Sequence, residues 1–581
     1  MNIKRNVIAI LLALSVLVTS VTALAGGLTA AADAIATRGD VNGDGAIDMK
    51  DVLLLRKFIA NVGDPVDEIA ADANGDGAID MKDVLLLRKF IANMDVTLAP
   101  MPDVSEPSTE PESEPESAPE STPVSEAESQ EASKAPTAFQ DAMNPDQITL
   151  TYYDEACTQY GVTWHTYAAG TAPTVQMVKG RTTDAADFAD ATVIAGDTTA
   201  YDTKTMPYDE ETNTVLFTDM VTVKDYVHRA VLSGLDFDTA YSYRVGDADA
   251  NKWSAIATFT TREEAVSGFS FIEITDTQNS MGVSSGYTPT HQYMRAALES
   301  AFSKVEDPAF ILHGGDFVEA SMLMDLWRSM LNGNQDFLMS TPLMMVCGNH
   351  DSTYKSADYE QIKHFNVGVD TAHMNTKLGI YYSYDYGNAH FVVLNSNSTG
   401  KRTDGTTDNV SIDKAQYEWL KADLEANTQE WTIVTLHHPI FAPVAGSAAE
   451  TAVRQEQLLG LFNDNHVDLV IQSHEHLYLR THPIGSDGKP IKDTPTTTVN
   501  GVTCLEDPGA PIFFCAGKTS KSGDAPYGDY DESLYAKTTT GQQSSYSIIT
   551  IEGNTLTVTA NYVYSGQLRN YESFGIVHTA G

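Results

Sequence analysis

The sequence predicts a multidomain chain made of a small all-α calcium-loop module, an all-β sandwich and an α/β domain. Three observations carry this reading. A segment near the N-terminus is repeated without a change. A middle stretch reads as short alternating strands. In the C-terminal half, apolar strands alternate with helices and end in clusters of metal-type ligands. At 581 residues the chain also exceeds what one core holds. Hydrophobic residues make up 42% of it, which excludes a wholly disordered protein. The 79 acidic residues exceed the 36 basic ones and leave a net charge of −43. Such a field repels nucleic-acid backbones and anionic membranes, so nucleic-acid binding is excluded. Four cysteines are too few to staple a chain of this size. Cys504 and Cys515 either pair or, with Cys157 and Cys347, remain reduced and buried.

The first residues point to export. Lys4 and Arg5 precede an almost continuously apolar run, Val7 to Ala25, that ends in Ala23-Leu24-Ala25 before Gly26-Gly27, the small-x-small pattern of a cleaved signal peptide over 1–25. The run is nearly long enough to remain as an anchor, but Thr19, Ser20 and Thr22 weaken it and favour cleavage. No other segment is apolar enough to span a membrane stably once the signal is removed, and a secreted, extracellular protein is expected.

Within 37–97, Asn42 to Asn61 recurs unchanged at Asn74 to Asn93, with an aspartate two residues before each copy. As a twelve-residue calcium loop, the first copy offers Asp40, Asn42, Asp44, the Ala46 carbonyl, Asp48 and Asp51, with Gly45 at the turn. The second offers Asp72, Asn74, Asp76, Ala78, Asp80 and Asp83, with Gly77 at the turn. Ile47 and Ile79 anchor the loops to a core. Amphipathic helices follow, with Val52, Leu55 and Ile59 on one stripe and Val84, Leu87 and Ile91 on the other. Position 12 is Asp rather than Glu, and no helix is expected ahead of either loop.

This duplicated unit resembles a dockerin, the module that plugs secreted proteins into cohesins of a cellulosome-type scaffold. The resemblance implies two calcium ions and a cohesin partner. It also implies contact through Met49, Lys50, Arg56 and Lys57 or through Met81, Lys82, Arg88 and Lys89. These residues depart from the small hydroxyl pair of the best-known dockerins. From 99 to 138 the chain turns to Pro, Glu and Ser, with ten acidic residues against Lys134, which reads as an extended, self-repelling linker.

Between 146 and 262 the strands expected are Ile148 to Tyr153, Gly161 to Tyr167, Val175 to Val178, His228 to Leu232, Ala240 to Val245 and Trp253 to Thr260. Leu235, Thr239 and Tyr241 have tyrosine-corner spacing, and Trp164, in mid-strand, belongs to a core rather than to a sugar platform. The stretch is similar to a fibronectin-III-like domain in a supporting role.

From 268 to 581 five strand ends carry metal-type residues. Phe269 to Ile274 leads to Asp276 and Gln278, and Ala309 to Leu312 leads to Gly315, Asp316 and Glu319. Leu343 to Cys347 leads to Gly348-Asn349-His350-Asp351, Trp431 to Leu436 to His437-His438-Pro439, and His466 to Ile471 to Ser473-His474-Glu475-His476. The carboxyl ends of strands in an open α/β sheet form one crevice, so the five loops should converge.

Their order resembles the calcineurin-like metallophosphoesterases, and most of all the purple acid phosphatase-like ones, which place a fibronectin-like domain ahead of the phosphatase domain. Gln416, Trp419 and Leu420 on a helix, and Tyr478 and Arg480 after the last histidine, extend the likeness. It implies that Asp276 and His476 hold a first metal, with Gln278 where many relatives have a histidine. Asp316 would bridge, and Asn349, His437 and His474 would hold the second. His350 would be the catalytic residue that protonates the leaving oxygen or steadies the phosphoryl group, while His438, His313 and His364 are read as supporting. Glu319 stands where the purple enzymes carry the tyrosine that colours ferric iron, which predicts a colourless protein. The metals implied are two transition-metal ions, iron, manganese or zinc. A small phosphate ester is the substrate, phytate being one candidate. A phosphodiesterase or nucleotide hydrolase, or a decayed metal-binding adhesive module, are the alternative functions.

Overall fold

The computed structural model describes residues 142–581 except 206–207, 210–213, 216–220, 279–290, 353–359, 369–380, 398–410, 445–446, 521–526, 529, 541–543 and 580–581, together with scattered positions from 38 to 98. The expected signal peptide at 1–25 and the expected linker at 99–138 lie outside them. So do Asp40, Asn42, Asp44, Ala46, Asp48, Asp76, Ala78 and Asp80 of the calcium loops, and Met49, Arg56, Lys57, Met81, Lys82, Arg88 and Lys89 of the expected cohesin face. The chain divides into two compact units, Met1–Ser129 and Gln130–Gly581.

In the first unit the described helical residues are 50–52, 54–55, 68–71, 83–84, 86–87 and 90. Val52, Leu55, Val84 and Leu87 are buried together with Val41, Ala71 and Ala73, and Ile47 and Ile79 pack against them, as the apolar spacing requires. Contrary to expectation, a single helical turn, Glu68–Ala71, stands ahead of the second loop. Its Ala70 carbonyl accepts from the Gly39 amide at the head of the first loop, 2.8 Å away.

The second unit opens with a β-sandwich. One sheet orders its strands Asp146–Tyr152, Tyr160–Thr166, Val221–Leu232 and Asp197–Thr205. The other runs Lys252–Trp253, Ala240–Asp247, Pro173–Lys179 and Thr192–Ala195, with Ala257–Thr260 also on Ala240–Asp247. Sequence pattern missed Thr192–Ala195 and Asp197–Thr205, Thr-rich edge strands whose side chains are largely exposed. The tyrosine corner forms: the Tyr241 hydroxyl accepts from the Asp236 amide at 3.1 Å. Trp164 is buried in the core against His228.

The following domain is not one open sheet, as the strand and helix alternation suggests, but two mixed sheets. One joins Leu343–Met345, Ile311–His313 and Gly268–Ile274 in parallel and continues through antiparallel Ser545–Glu552, Thr555–Tyr564 and Gln567–Val577 to Val502–Glu506 and Thr496–Val499. The other orders Tyr382–Tyr386, Ala389–Leu394, Trp431–Leu436, Leu469–Ile471, Ile512–Ala516, Leu477–Thr481 and Tyr535–Thr540. Phe271, Phe310, Phe391, Trp431 and Phe574 share an apolar core that runs on into Trp164 and Tyr243 of the sandwich. The two domains are also pinned by buried bonds, Tyr152 hydroxyl to the Ala309 carbonyl and Tyr243 hydroxyl to the Met339 carbonyl, at 2.8 and 2.7 Å. Cys504 and Cys515 sit on different sheets, and all four cysteines are free and buried.

Candidate metal centre

The five loops converge, three from the first sheet and two from the second. Asp276, Asp316, His474 and His476 all adopt positive φ, at 51, 55, 77 and 57°. That left-handed backbone is costly for such residues and recurs where a strand end must turn a side chain into a site. Three glycines allow the loops to approach. A Cβ on Gly348 would lie 2.1 Å from Asp316 Oδ1, one on Gly315 2.6 Å from His437 Nδ1, and one on Gly314 2.2 Å from Ser473 Oγ.

His437 is fully buried, and its Nδ1 lies 2.9 Å from the Gly314 carbonyl, an acceptor. With Nδ1–H donating there, Nε2 faces Asn349 Oδ1 at 3.0 Å, Asp316 Oδ2 at 3.2 Å and His474 Nδ1 at 3.2 Å. A neutral imidazole would aim its lone pair at the Asn349 and Asp316 oxygens. A proton or a cation relieves this, and the donor set suits a borderline divalent metal. Burial opposes the charged ring, but Asp316 outweighs it and raises the His437 pKa to about 9. Asp316, despite its own burial, is held well below the usual carboxylate range by His437. His474 is pushed down to about 4 by burial and by His437. Asp316, His437 and His474 present ligand atoms within 4.8 Å of one another.

The other expected set lies alongside. Asp276 Oδ2 accepts from the His474 amide at 3.2 Å, and its Oδ1 lies 3.4 Å from His476 Nε2. Oδ1 is buried with no hydrogen-bond partner among the described residues, which fits a ligand oxygen awaiting a cation. Gln278 Nε2 stands between Asp316 Oδ2 and His476 Nε2, 3.2 Å from each, so its amide must turn over to offer oxygen to a metal.

His350 is not directed at these atoms. Its amide donates to Asp316 Oδ1 at 2.8 Å, and its Nδ1 donates to the Glu319 carbonyl at 2.7 Å, leaving Nε2 as the outward nitrogen. Burial works against its charge, but Asp316, the Glu319 carbonyl and nearby carboxylates raise its pKa. Of the supporting histidines, His438 is bound to Ser396 and kept neutral by burial and His474. His313 contacts Thr277 and is pushed down to about 3 by burial. His364 lies apart, stacked on His165 and Trp327.

Sequence reasoning left Asp351 without a role. Its Oδ1 accepts from the Phe317 amide and its Oδ2 from the Gly348 amide, at 2.9 and 3.0 Å, locking the Asp316 and Asn349 loops together. Burial and Asp316 raise its pKa to about 7. A second clamp starts at Gln416 on helix Lys414–Ala426, which brackets the amide and carbonyl of Asn395, while Asn397 Nδ2 donates to the Cys347 carbonyl. Arg454, buried on helix Ala448–Asp464, donates to the Pro439 carbonyl behind the histidine pair. The signal for the second clamp was the Asn-Ser-Asn run directly after the apolar stretch Phe391 to Leu394. In the calcium module, Asp51 and Asp83, at position 12 of their loops, are fully buried, and Asp83 Oδ1 accepts from the Asn74 amide at 3.0 Å. Asp72 pairs with Arg38. Lys50 is exposed.

Two domains, two sheets and a histidine–carboxylate–asparagine cluster at their strand ends define a calcineurin-like phosphoesterase, and the model of that family matches residues 269–478. The purple acid phosphatase N-terminal domain matches 145–261 and the dockerin type I domain 38–92. The chain thus carries, in order, a dockerin type I domain, a purple acid phosphatase N-terminal domain and a calcineurin-like phosphoesterase domain. Purple acid phosphatase 23 of Arabidopsis thaliana is 23% identical over 44% of this chain and 58% of its own. Probable inactive purple acid phosphatase 1 of the same plant is 25% identical over 45% and 44%. The chain thus spans less than two thirds of the length of either relative. In fold it is similar to the purple acid phosphatase PPD1 of yellow lupin, with a TM-score of 0.58 at 16% identity over 75% of this chain and 74% of that one.

Proposed function

We propose that this chain is a secreted dinuclear-metal phosphoesterase, acting chiefly on small phosphate monoesters and docked through its calcium-loaded dockerin to a cohesin on a scaffold. The observation that carries it is the convergence of Asp316, His437 and His474, whose ligand atoms lie within 4.8 Å of one another, with Asn349 Oδ1 3.0 Å from His437 Nε2. Asp276, Gln278 and His476 would hold one metal, Asn349, His437 and His474 the other, with Asp316 shared. When bound, iron, manganese or zinc supplies positive charge for the phosphate and lowers the pKa of the attacking water.

The chain's own residues do the rest. The Asp351 and Gln416 clamps hold the ligand loops in register. The bond from phosphorus to the leaving oxygen breaks as a water oxygen bonds to phosphorus, and His350 gives its Nε2 proton to the departing oxygen. Asp316, the Glu319 carbonyl and nearby carboxylates favour the protonated ring. A second reading, a metal-binding module without turnover, draws on the Gln278 amide at the first set and on the relative described as probably inactive. Phosphate release by the purified, metal-reconstituted protein over monoesters, diesters, nucleotides and phytate separates the two. Release from monoesters is expected, and none from any ester would leave only the second.

A further inference from the structure

Beside His350 an open cleft of about 320 Å³ is bounded by Glu319, Ser321, Met322, Asn349 and Ser352. Its floor is built by two loops tied together, His350 Nδ1 to the Glu319 carbonyl at 2.7 Å and the Ser321 amide to the His350 carbonyl at 3.2 Å. Met322 is 47% exposed and gives the wall of the cleft an apolar side chain.

We propose that this cleft receives the leaving alcohol of the ester and selects an uncharged, partly apolar one, typified by a phenol. The inference rests on the phosphoesterase reading above. In an in-line displacement the leaving oxygen departs opposite the attacking water and must meet the proton donor. The group attached to it therefore lies on the His350 side of phosphorus, where this cleft opens. The volume falls at the lower end of small-molecule pockets, enough for a single ring. Met322 offers a polarisable thioether to that ring. Among the described lining residues the Glu319 side chain is the one acidic group, neither Lys nor Arg is present, and His350 is the one basic group. A second phosphate or a carboxylate on the alcohol would be drawn from water beside Glu319, while His350 is already engaged with the leaving oxygen. Phytate and nucleoside polyphosphates are therefore disfavoured.

The test compares phenyl phosphate with 4-carboxyphenyl phosphate at pH 7, using full-length metal-loaded protein. The carboxylated phenol is the better leaving group, so chemistry alone favours that ester. The expected result is a kcat/KM about tenfold or more higher for phenyl phosphate, a gap that closes in Met322→Lys and narrows in Glu319→Gln. Equal or reversed preference in the wild type, or a ratio unmoved by Met322→Lys, would overturn the inference while leaving the phosphoesterase reading intact. Turnover of neither ester, with both metals present by elemental analysis, would overturn that reading and the inference with it.

Discussion

His350 and Asp316 lie side by side, joined by the His350 amide and Asp316 Oδ1, yet they carry different burdens. Asp316 turns its other oxygen to His437, whereas the His350 ring is anchored on the Glu319 carbonyl. His350→Ala should therefore lower turnover of monoesters roughly a hundredfold or more with metal content unchanged, because a proton donor is lost and no ligand. Asp316→Ala should lose metal in an elemental assay, and wild-type turnover in His350→Ala would refute the donor role. Gly348→Ala tests packing at the same spot. Its Cβ would fall 2.1 Å from the Asp316 amide and Oδ1, so the bridging carboxylate must move and metal affinity should drop at least as far as in a ligand mutant. Glu319 presents its carbonyl to His350 and its carboxylate to the cleft, and a carboxylate lacks the phenolate transition of the purple enzymes. A visible spectrum of the iron-loaded protein should show no intense purple band.

His390 shows how elements, rather than single ligands, are held. It stands on strand Ala389–Leu394 between Asp385 of the neighbouring strand at 2.7 Å and Asp423 of helix Lys414–Ala426 at 2.9 Å, the helix that also carries the Gln416 clamp. Burial opposes the imidazolium, but the two carboxylates prevail and raise its pKa to about 9. Because the folded pKa exceeds the unfolded one, the stabilisation is complete below about pH 6.5 and disappears as pH rises through 9. It amounts to something on the order of 2 kcal/mol. Denaturant unfolding should show stability falling between those pH values in the wild type and a flatter profile in His390→Gln. A parallel slope in both proteins would contradict the assignment. None of this was legible in the sequence, since the partners are 5 and 33 residues away and meet only in the fold. The buried strand Trp431–Leu436 was legible to the residue, being apolar and bounded by His437. So was the gathering of His, Asp and Asn side chains at the strand ends, where Asp316, His437 and His474 meet. Asp351, Gln416 and Arg454 escaped because they act on backbone atoms that only tertiary structure brings near. The division into two sheets escaped because strand and helix alternation does not reveal the antiparallel strands from Ser545 onward.

At the scale of the molecule, the chain forms two compact units, and 99–138, rich in Pro, Glu and Ser, offers neither unit an apolar surface to bury. In the first unit, Asp51 and Asp83 are fully buried, and among the described residues Val41, Val52, Leu55, Ala71, Ala73, Val84 and Leu87 form a buried apolar cluster. Two desolvated carboxylates are costly to hold without a cation. Calcium should therefore be part of the unit's folding free energy. The second unit has its own continuous core from the sandwich into both sheets and no calcium loop of this kind. Calorimetry of the full chain should show two transitions. A calcium-selective chelator should abolish the one belonging to Met1–Ser129 and leave the other in place. The same treatment should eliminate capture by an immobilised cohesin while phosphate release per molecule stays unchanged, and Asp51→Ala with Asp83→Ala should mimic it. The identical copies also predict that replacing Met49 and Lys50 alone weakens capture little, because the second copy presents the same face. Loss of capture in that variant would show that only one face binds. Loss of ester hydrolysis on calcium removal would show that the two units fold as one.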